Sequence, residues 1–158
     1  MRTRRFPKTW FIPIVTLLVI MIVGTSMTFG DLDWYSKLIK PDWQPPSELF
    51  GPVWSLLYLF IAIAAWRSWE SVTRKDHQAV FILFSFNALF NLAWTPLFFG
   101  IHAIDLALLD AILMQLTTLA LMYLVWKYDR LAVVLLLPYL AWVGFAIYLN
   151  FTIWQLNV

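Results

Sequence analysis

Charge is absent from five long stretches of this chain, and that pattern restricts the fold more than any motif does. Nothing is charged between Lys8 and Asp31, Glu48 and Arg67, Asp76 and Asp105, or Asp110 and Lys127, nor after Arg130. Crossing the hydrocarbon core of a bilayer takes roughly 20 predominantly apolar residues in a helix. The first, third and fifth runs suffice alone, and the second and fourth borrow a turn from their flanks. Helical spans are therefore predicted near 9–29, 47–68, 77–99, 103–126 and 132–155. Runs rich in Leu, Ala and Met fit helices rather than barrel strands, since a lipid-exposed backbone must satisfy its own hydrogen bonds. With 62% apolar and 13% charged residues and a mean hydropathy of +0.76, the expected class is all-α: one integral membrane bundle of five transmembrane helices spanning 1–158.

The basic residues set an expected orientation. Arg2, Arg4, Arg5 and Lys8 precede the first span, Arg67, Arg74 and Lys75 lie between the second and third, and Lys127 and Arg130 lie between the fourth and fifth. The opposite side holds Lys37 and Lys40. The positive-inside rule then puts the N-terminus in the cytoplasm and the C-terminus outside. The first run is long and lacks a clear small-x-small cleavage site, so it reads as a retained span rather than a signal peptide.

The segment 30–46 is unlike a solvating loop. It carries Trp34, Tyr35 and Trp43 with Pro41, Pro45 and Pro46, and the prolines stiffen Lys40 to Pro46. It is either a lid or packing element, or a set of aromatic anchors at headgroup level. On the third span, Asn87, Asn91 and Trp94 stand at i, i+4 and i+7 on one face. Two carboxamides facing lipid would be left unpaired, so this face points into the bundle, for interhelical bonding or for orienting a ligand's polar groups. The fifth span places Trp142, Phe145, Ala146 and Leu149 on one face, with the small Ala146 leaving room beside the aromatics. The second adds Trp54 and Tyr58 at i and i+4. Aromatic faces from three helices can enclose a flat conjugated ligand by offset stacking, and Trp54, Trp94 and Trp142 are expected to converge. Trp10, Trp66, Trp69, Trp126 and Trp154 lie near span ends and read as interfacial belt residues. Pro96 and Pro138 are expected to kink their helices near the cavity.

Asp110 lies inside an apolar stretch, about two turns from the mouth of the fourth span. Pairing with headgroups, Asn side chains or a helix N-terminus is one reading, and proton coupling or ligand contact is the other. Ala103, Ala107 and Ala111 form a small-residue ridge that permits close helix approach, to a neighbouring helix or a second subunit.

Several motifs, taken in order, resemble one family. Trp34-Tyr35-x-x-Leu38-x-Lys40-Pro41-x-Trp43-x-Pro45-Pro46 is similar to the first-loop signature of the TspO translocator-protein family, the tryptophan-rich sensory proteins. Pro52-x-Trp54-x-x-x-Tyr58 resembles its second helix, and Asn87-x-x-x-Asn91-x-x-Trp94-x-Pro96-x-Phe98-Phe99-Gly100 its third. Leu109-Asp110 resembles the start of its fourth, and Pro138-Tyr139-Leu140-x-Trp142-x-x-Phe145-Ala146-x-x-Leu149-Asn150 its fifth. The resemblance covers the chain from about residue 25 onward. It implies a five-helix bundle, usually a homodimer, that binds porphyrins such as protoporphyrin IX and other hydrophobic ligands beneath the first loop. Ligand-contact positions implied outside the fifth span are Thr25, Tyr35, Trp43, Pro45, Trp54, Tyr58, Asn87, Asn91 and Trp94. Those within it are Trp142, Phe145, Ala146 and Leu149.

Departures and absences narrow the reading. The C-terminal Leu/Val…Tyr…Arg cholesterol motif of the mammalian members is missing, since Phe151 follows Leu149-Asn150 and no Lys or Arg lies beyond Arg130. Leu121-x-Tyr123-x-x-x-Lys127 fits the same loose pattern on the fourth span. A bacterial, sterol-poor cytoplasmic membrane is the simpler setting. His77 and His102 fall on opposite sides of the expected topology, which disfavours a mid-membrane haem ligated by a His pair. There is no cysteine, and no catalytic triad, phosphate loop, metal-ligand cluster or nucleic-acid motif is legible. No cofactor or metal is expected, and the partners expected are a hydrophobic small molecule, lipid and a second copy. The favoured function is a receptor or sensor that binds tetrapyrroles and regulates their levels or a stress response. The alternatives are a tetrapyrrole transporter and a light- and oxygen-dependent porphyrin-degrading enzyme, in which Trp54 and Trp142 would act as electron donors or radical sites.

Overall fold

Four of the five expected spans appear as long helices in the computed structural model, which describes residues 32–158. A short helix α1 (Leu32–Lys37) opens the described chain, and a 3-10 turn at Ser47–Leu49 leads into α2 (Phe50–Ser71). Helix α3 (His77–Thr95) passes into a π turn at Pro96–Gly100, followed by α4 (Ile104–Val125) and α5 (Arg130–Asn157). The stretches Ser47–Ser71, His77–Gly100, Ile104–Val125 and Arg130–Asn157 are long and apolar enough to cross a membrane. The expected first span near 9–29 lies outside the described residues, as do Thr25 and Trp10.

The chain is all-helical where it is described, and α4 is central, packing against both α3 and α5, while α2 packs on α5. Small residues allow the close approach: Ala107 and Ala111 of α4 are 0% and 2% exposed. The partner of the small-residue ridge is thus intramolecular. Leu109, Leu116 and Tyr123, on the opposite face of α4, are exposed, as expected of surfaces that meet lipid. Two buried clusters result. An inner one is built on Leu57, Ile61, Val80, Met114, Leu121, Leu136, Tyr139 and Val143. An outer one is built on Phe98, Phe99, Ile104, Ala107, Leu149 and Ile153.

The two helix prolines behave differently. After Pro96 the chain loosens into the π turn, with Ile101 N–H donating to Pro96 O at 3.0 Å, whereas α5 runs through Pro138 without interruption. Asp129 starts α5 as its N-cap, Oδ1 accepting from Leu131 N–H (3.0 Å) and Ala132 N–H (3.1 Å), while Oδ2 pairs with Arg67 Nη2 of α2 at 2.8 Å. One carboxylate thereby ties the start of α5 to the end of α2.

Candidate functional site beneath the aromatic loop

The segment expected to be a stiff loop begins as a helical turn. Leu32–Lys37 carries Asp33 in its first turn and Lys37 in its last, the arrangement that suits a helix dipole. The turn delivers both aromatics of α1 onto the bundle. Trp34 stacks on His102 (centroids 4.0 Å apart, 16° between planes) and meets Phe98 edge-on at 5.6 Å. Tyr35 contacts Phe99 at 5.4 Å and Phe98 at 6.2 Å, with Lys40 Nζ over its ring at 4.4 Å. Burial pushes the Tyr35 phenol above its ordinary value, partly opposed by its bond with Gln44. Further along, Trp43 stacks on Tyr148 (4.9 Å, 11°) and meets Phe145 edge-on at 6.0 Å. All three loop aromatics have ring contacts with the bundle, so the segment is a packing element, although Trp43 keeps 42% of its surface exposed.

A polar clasp holds the loop between these aromatic contacts. Ile39 N–H donates to Asn157 Oδ1 and Asn157 Nδ2 donates back to Ile39 O, each at 2.9 Å. The last residue of α5 therefore pairs with the loop backbone as a strand neighbour would.

Below the loop, Trp142 contacts Phe145 (5.4 Å) and Phe50 (5.8 Å, 68°). Its Nε1 is buried without a hydrogen-bond partner. Trp94 stacks on Phe98 (4.9 Å, 17°), and Trp54 lies against Tyr58 (5.4 Å) and Tyr139 (6.3 Å). The three indoles expected to converge all pack on the inner cluster, but none has a ring contact with another among the described pairs. Trp94 also packs on the outer cluster and so links the two. Ala146 is half-buried and Leu149 buried on α5, and Pro45 is half-buried in the loop.

The two asparagines are committed to other helices. Tyr58 Oη donates to Asn91 Oδ1 at 2.8 Å, and Asn91 Nδ2 donates to Tyr139 Oη at 3.4 Å. Tyr139 Oη donates in turn to Asn87 Oδ1 at 3.1 Å. Asn87 Nδ2 is within 3.0 Å of Met114 O, Thr117 Oγ1 and Thr118 Oγ1. One network thus joins α2, α3, α4 and α5 through side chains that are largely buried.

The sequence profile of the TspO/MBR family matches residues 11–155. The chain belongs to the TspO/MBR family. It is 36% identical over 142 residues to the tryptophan-rich protein TspO of Chlorobaculum tepidum, covering 89% of this chain and 90% of that protein. Similarity to protein CrtK of Rhodobacter capsulatus is 36% over 136 residues (85% and 84% covered), and to the human translocator protein 35% over 138 residues (85% and 82%). Membership bears out the resemblance drawn from the motifs, and with the apolar helices it identifies an integral membrane protein of the sensor and translocator class.

Within this TspO/MBR chain, sequence reasoning missed Phe50, Tyr139, Tyr148, His102 and Asn157. The motifs contained Tyr139, Phe98 and Phe99 but gave no reason to single them out; Asn157 and Tyr148 carry no sequence signal. Two of the expected belt residues also have protein contacts. Trp154 packs on the outer cluster, and Trp69 meets His77 edge-on at 4.5 Å. Trp66 and Trp126 are exposed, as a belt requires. A cleft of about 180 Å³ lined by Trp66, Arg67, Glu70, Ser71 and Asp129 lies at the basic end, the end opposite the loop. It contains none of the expected ligand-contact residues.

Proposed function

We propose that this protein is a membrane receptor or sensor that takes a flat, conjugated, hydrophobic ligand of the porphyrin type beneath the 32–46 loop. The observation that carries this reading is the buried, unpartnered Nε1 of Trp142 among edge-on and tilted aromatic rings from the loop, α2 and α5. An indole donor without an acceptor in an apolar setting is costly, and a ligand carboxylate, carbonyl or ring nitrogen would supply one. Phe50, Phe145 and Trp43 offer faces and edges at stacking distance, which a planar macrocycle would contact in place of one another. Entry would proceed by lifting the loop from Phe145 and Tyr148 with its Asn157 clasp released. The distribution of basic residues supports a cytoplasmic N-terminus with an external loop and C-terminus, and the missing C-terminal cholesterol motif supports a bacterial cytoplasmic membrane. A homodimer is part of the same proposal.

Titrating the detergent-purified protein with protoporphyrin IX, while following tryptophan fluorescence, tests the reading. Saturable quenching with a defined stoichiometry is expected. Linear quenching that matches free tryptophan in empty micelles would reject it.

A further inference from the structure

Asp110 is the only acidic side chain buried within a membrane-spanning helix among the described residues. It is 7% exposed, and its Oδ2 is buried with no hydrogen-bond partner. The described ion pair, Arg67 with Asp129, lies at the basic end. Among the described residues no Asn side chain or helix N-terminus, a pairing open from sequence, bonds to Asp110 Oδ2.

Among the described residues Asp110 makes no ion pair. Two bonds fix the antiparallel register of α4 and α5: Asn150 Nδ2 donates to Ile104 O at 2.9 Å, and Gln115 Nε2 donates to Leu140 O at 3.1 Å. Asp110 falls between them along this seam. Helix α3 carries no charged residue, and its titratable His77 is at the far end. Neither α2 next to the network nor the π turn brings a charge, and residues 9–30 contain none. On α5 the Tyr139 hydroxyl donates to Asn87, and on α2 that of Tyr58 donates to Asn91. Tyr148 is exposed and stacked on Trp43. Among the described residues no group of three or more His, Cys, Asp or Glu side chains is placed to hold a metal ion.

Asp110 also occupies a boundary. Ala107, one turn toward the loop, belongs to the outer cluster, and Met114, one turn the other way, to the inner cluster. An uncompensated carboxylate in a lipid-embedded bundle is strongly disfavoured, and a proton is the counter-charge that needs no added space. We propose that Asp110 is a proton-binding site built into the α4–α5 seam. The carboxyl holds its proton while the two apolar clusters close around it. Releasing that proton to water leaves a carboxylate that must be hydrated, so the outer cluster has to part. Because Trp34 and Tyr35 rest on that cluster, proton release is tied to loosening of the loop. This inference does not depend on the identity of any ligand.

Infrared spectroscopy of the full chain in lipid reads the site directly. At neutral pH the wild type is expected to show the carbonyl stretch of a protonated carboxylic acid, above the amide I band. That band should vanish in Asp110→Asn and persist, displaced, in Asp110→Glu. Thermal stability should fall as pH rises in the wild type, since the folded state then binds more protons than the unfolded state, and the fall should be smaller in Asp110→Asn. No such band in the wild type, or a band that Asp110→Asn leaves intact, overturns the proposal. Should Asp110→Asn fail to fold, a band unmoved by Asp110→Glu belongs to another acid and overturns it equally.

Discussion

Tyr139 shows how much one hydroxyl does at the residue scale. It is 1% exposed, accepts from Asn91 and donates to Asn87, so removing it breaks two interhelical bonds at once. Tyr139→Phe keeps the ring against Trp54 and should cost about 1 kcal/mol, the scale of one to two interhelical hydrogen bonds in a membrane protein. Denaturant unfolding in mixed micelles measures it; an unchanged midpoint would mean that the network contributes nothing net. The face shared by Asn87 and Asn91 was legible in the sequence because carboxamides at i and i+4 on an apolar helix must turn inward. Their partners were not, because Tyr58 and Tyr139 approach from helices 33 and 52 residues away, and no local pattern encodes that distance. Trp154 has a protein contact that its span-end position does not announce, since it packs on the outer cluster against which Trp34, Tyr35 and Leu38 of the loop also rest.

At the scale of elements, the loop and the ends of α5 are the parts most readily tested. The Asn157 clasp is solvent-exposed, and its two bonds together are worth about 0.5–1.5 kcal/mol. Asn157→Ala should therefore speed amide exchange across 32–46 by up to about tenfold, as followed by hydrogen–deuterium exchange with mass spectrometry; exchange confined to its wild-type rate would show that the aromatic contacts alone hold the loop. The other end of α5 is acid-sensitive. Burial pushes the Asp129 carboxyl up, but the Ala132 N–H, Arg67 and the Leu131 N–H more than reverse this and leave it below its ordinary value of 3.8. The Tyr128 hydroxyl, bonded to Asp76, is the main cause of the same downward direction there. A depressed carboxyl stabilises the fold above the ordinary range and loses that contribution as pH falls through its lowered value. Thermal stability should accordingly fall as pH drops toward and below 3.8, less so in Asp129→Asn; equal acid sensitivity in both would remove Asp129 from the account. The four described spans were read from charge-free runs to within a few residues. The helical turn at Leu32–Lys37 was not, since three downstream prolines dominate the local pattern although the turn ends before the first of them.

For the whole molecule, the fold was legible because lipid imposes long apolar helices, and the family because five ordered motifs agree with it. The arrangement of the aromatics was less accessible. Trp54, Trp94 and Trp142 do lie against one inner cluster, but each is matched to its own neighbours rather than to the other two. The proposed ligand site beneath the loop centres on Trp142, and the inner cluster that Trp54 and Trp94 share with it makes them its further walls. The most direct test compares protoporphyrin IX affinity in folded Trp54→Ala, Trp94→Ala and Trp142→Ala with that in Trp126→Ala, an exposed indole at the basic end. Losing one stacking surface is worth about 0.5–1.5 kcal/mol, so the first three should each bind up to about tenfold more weakly, and Trp126→Ala should match the wild type. Equal weakening in all four variants, or none in the first three, would contradict the account.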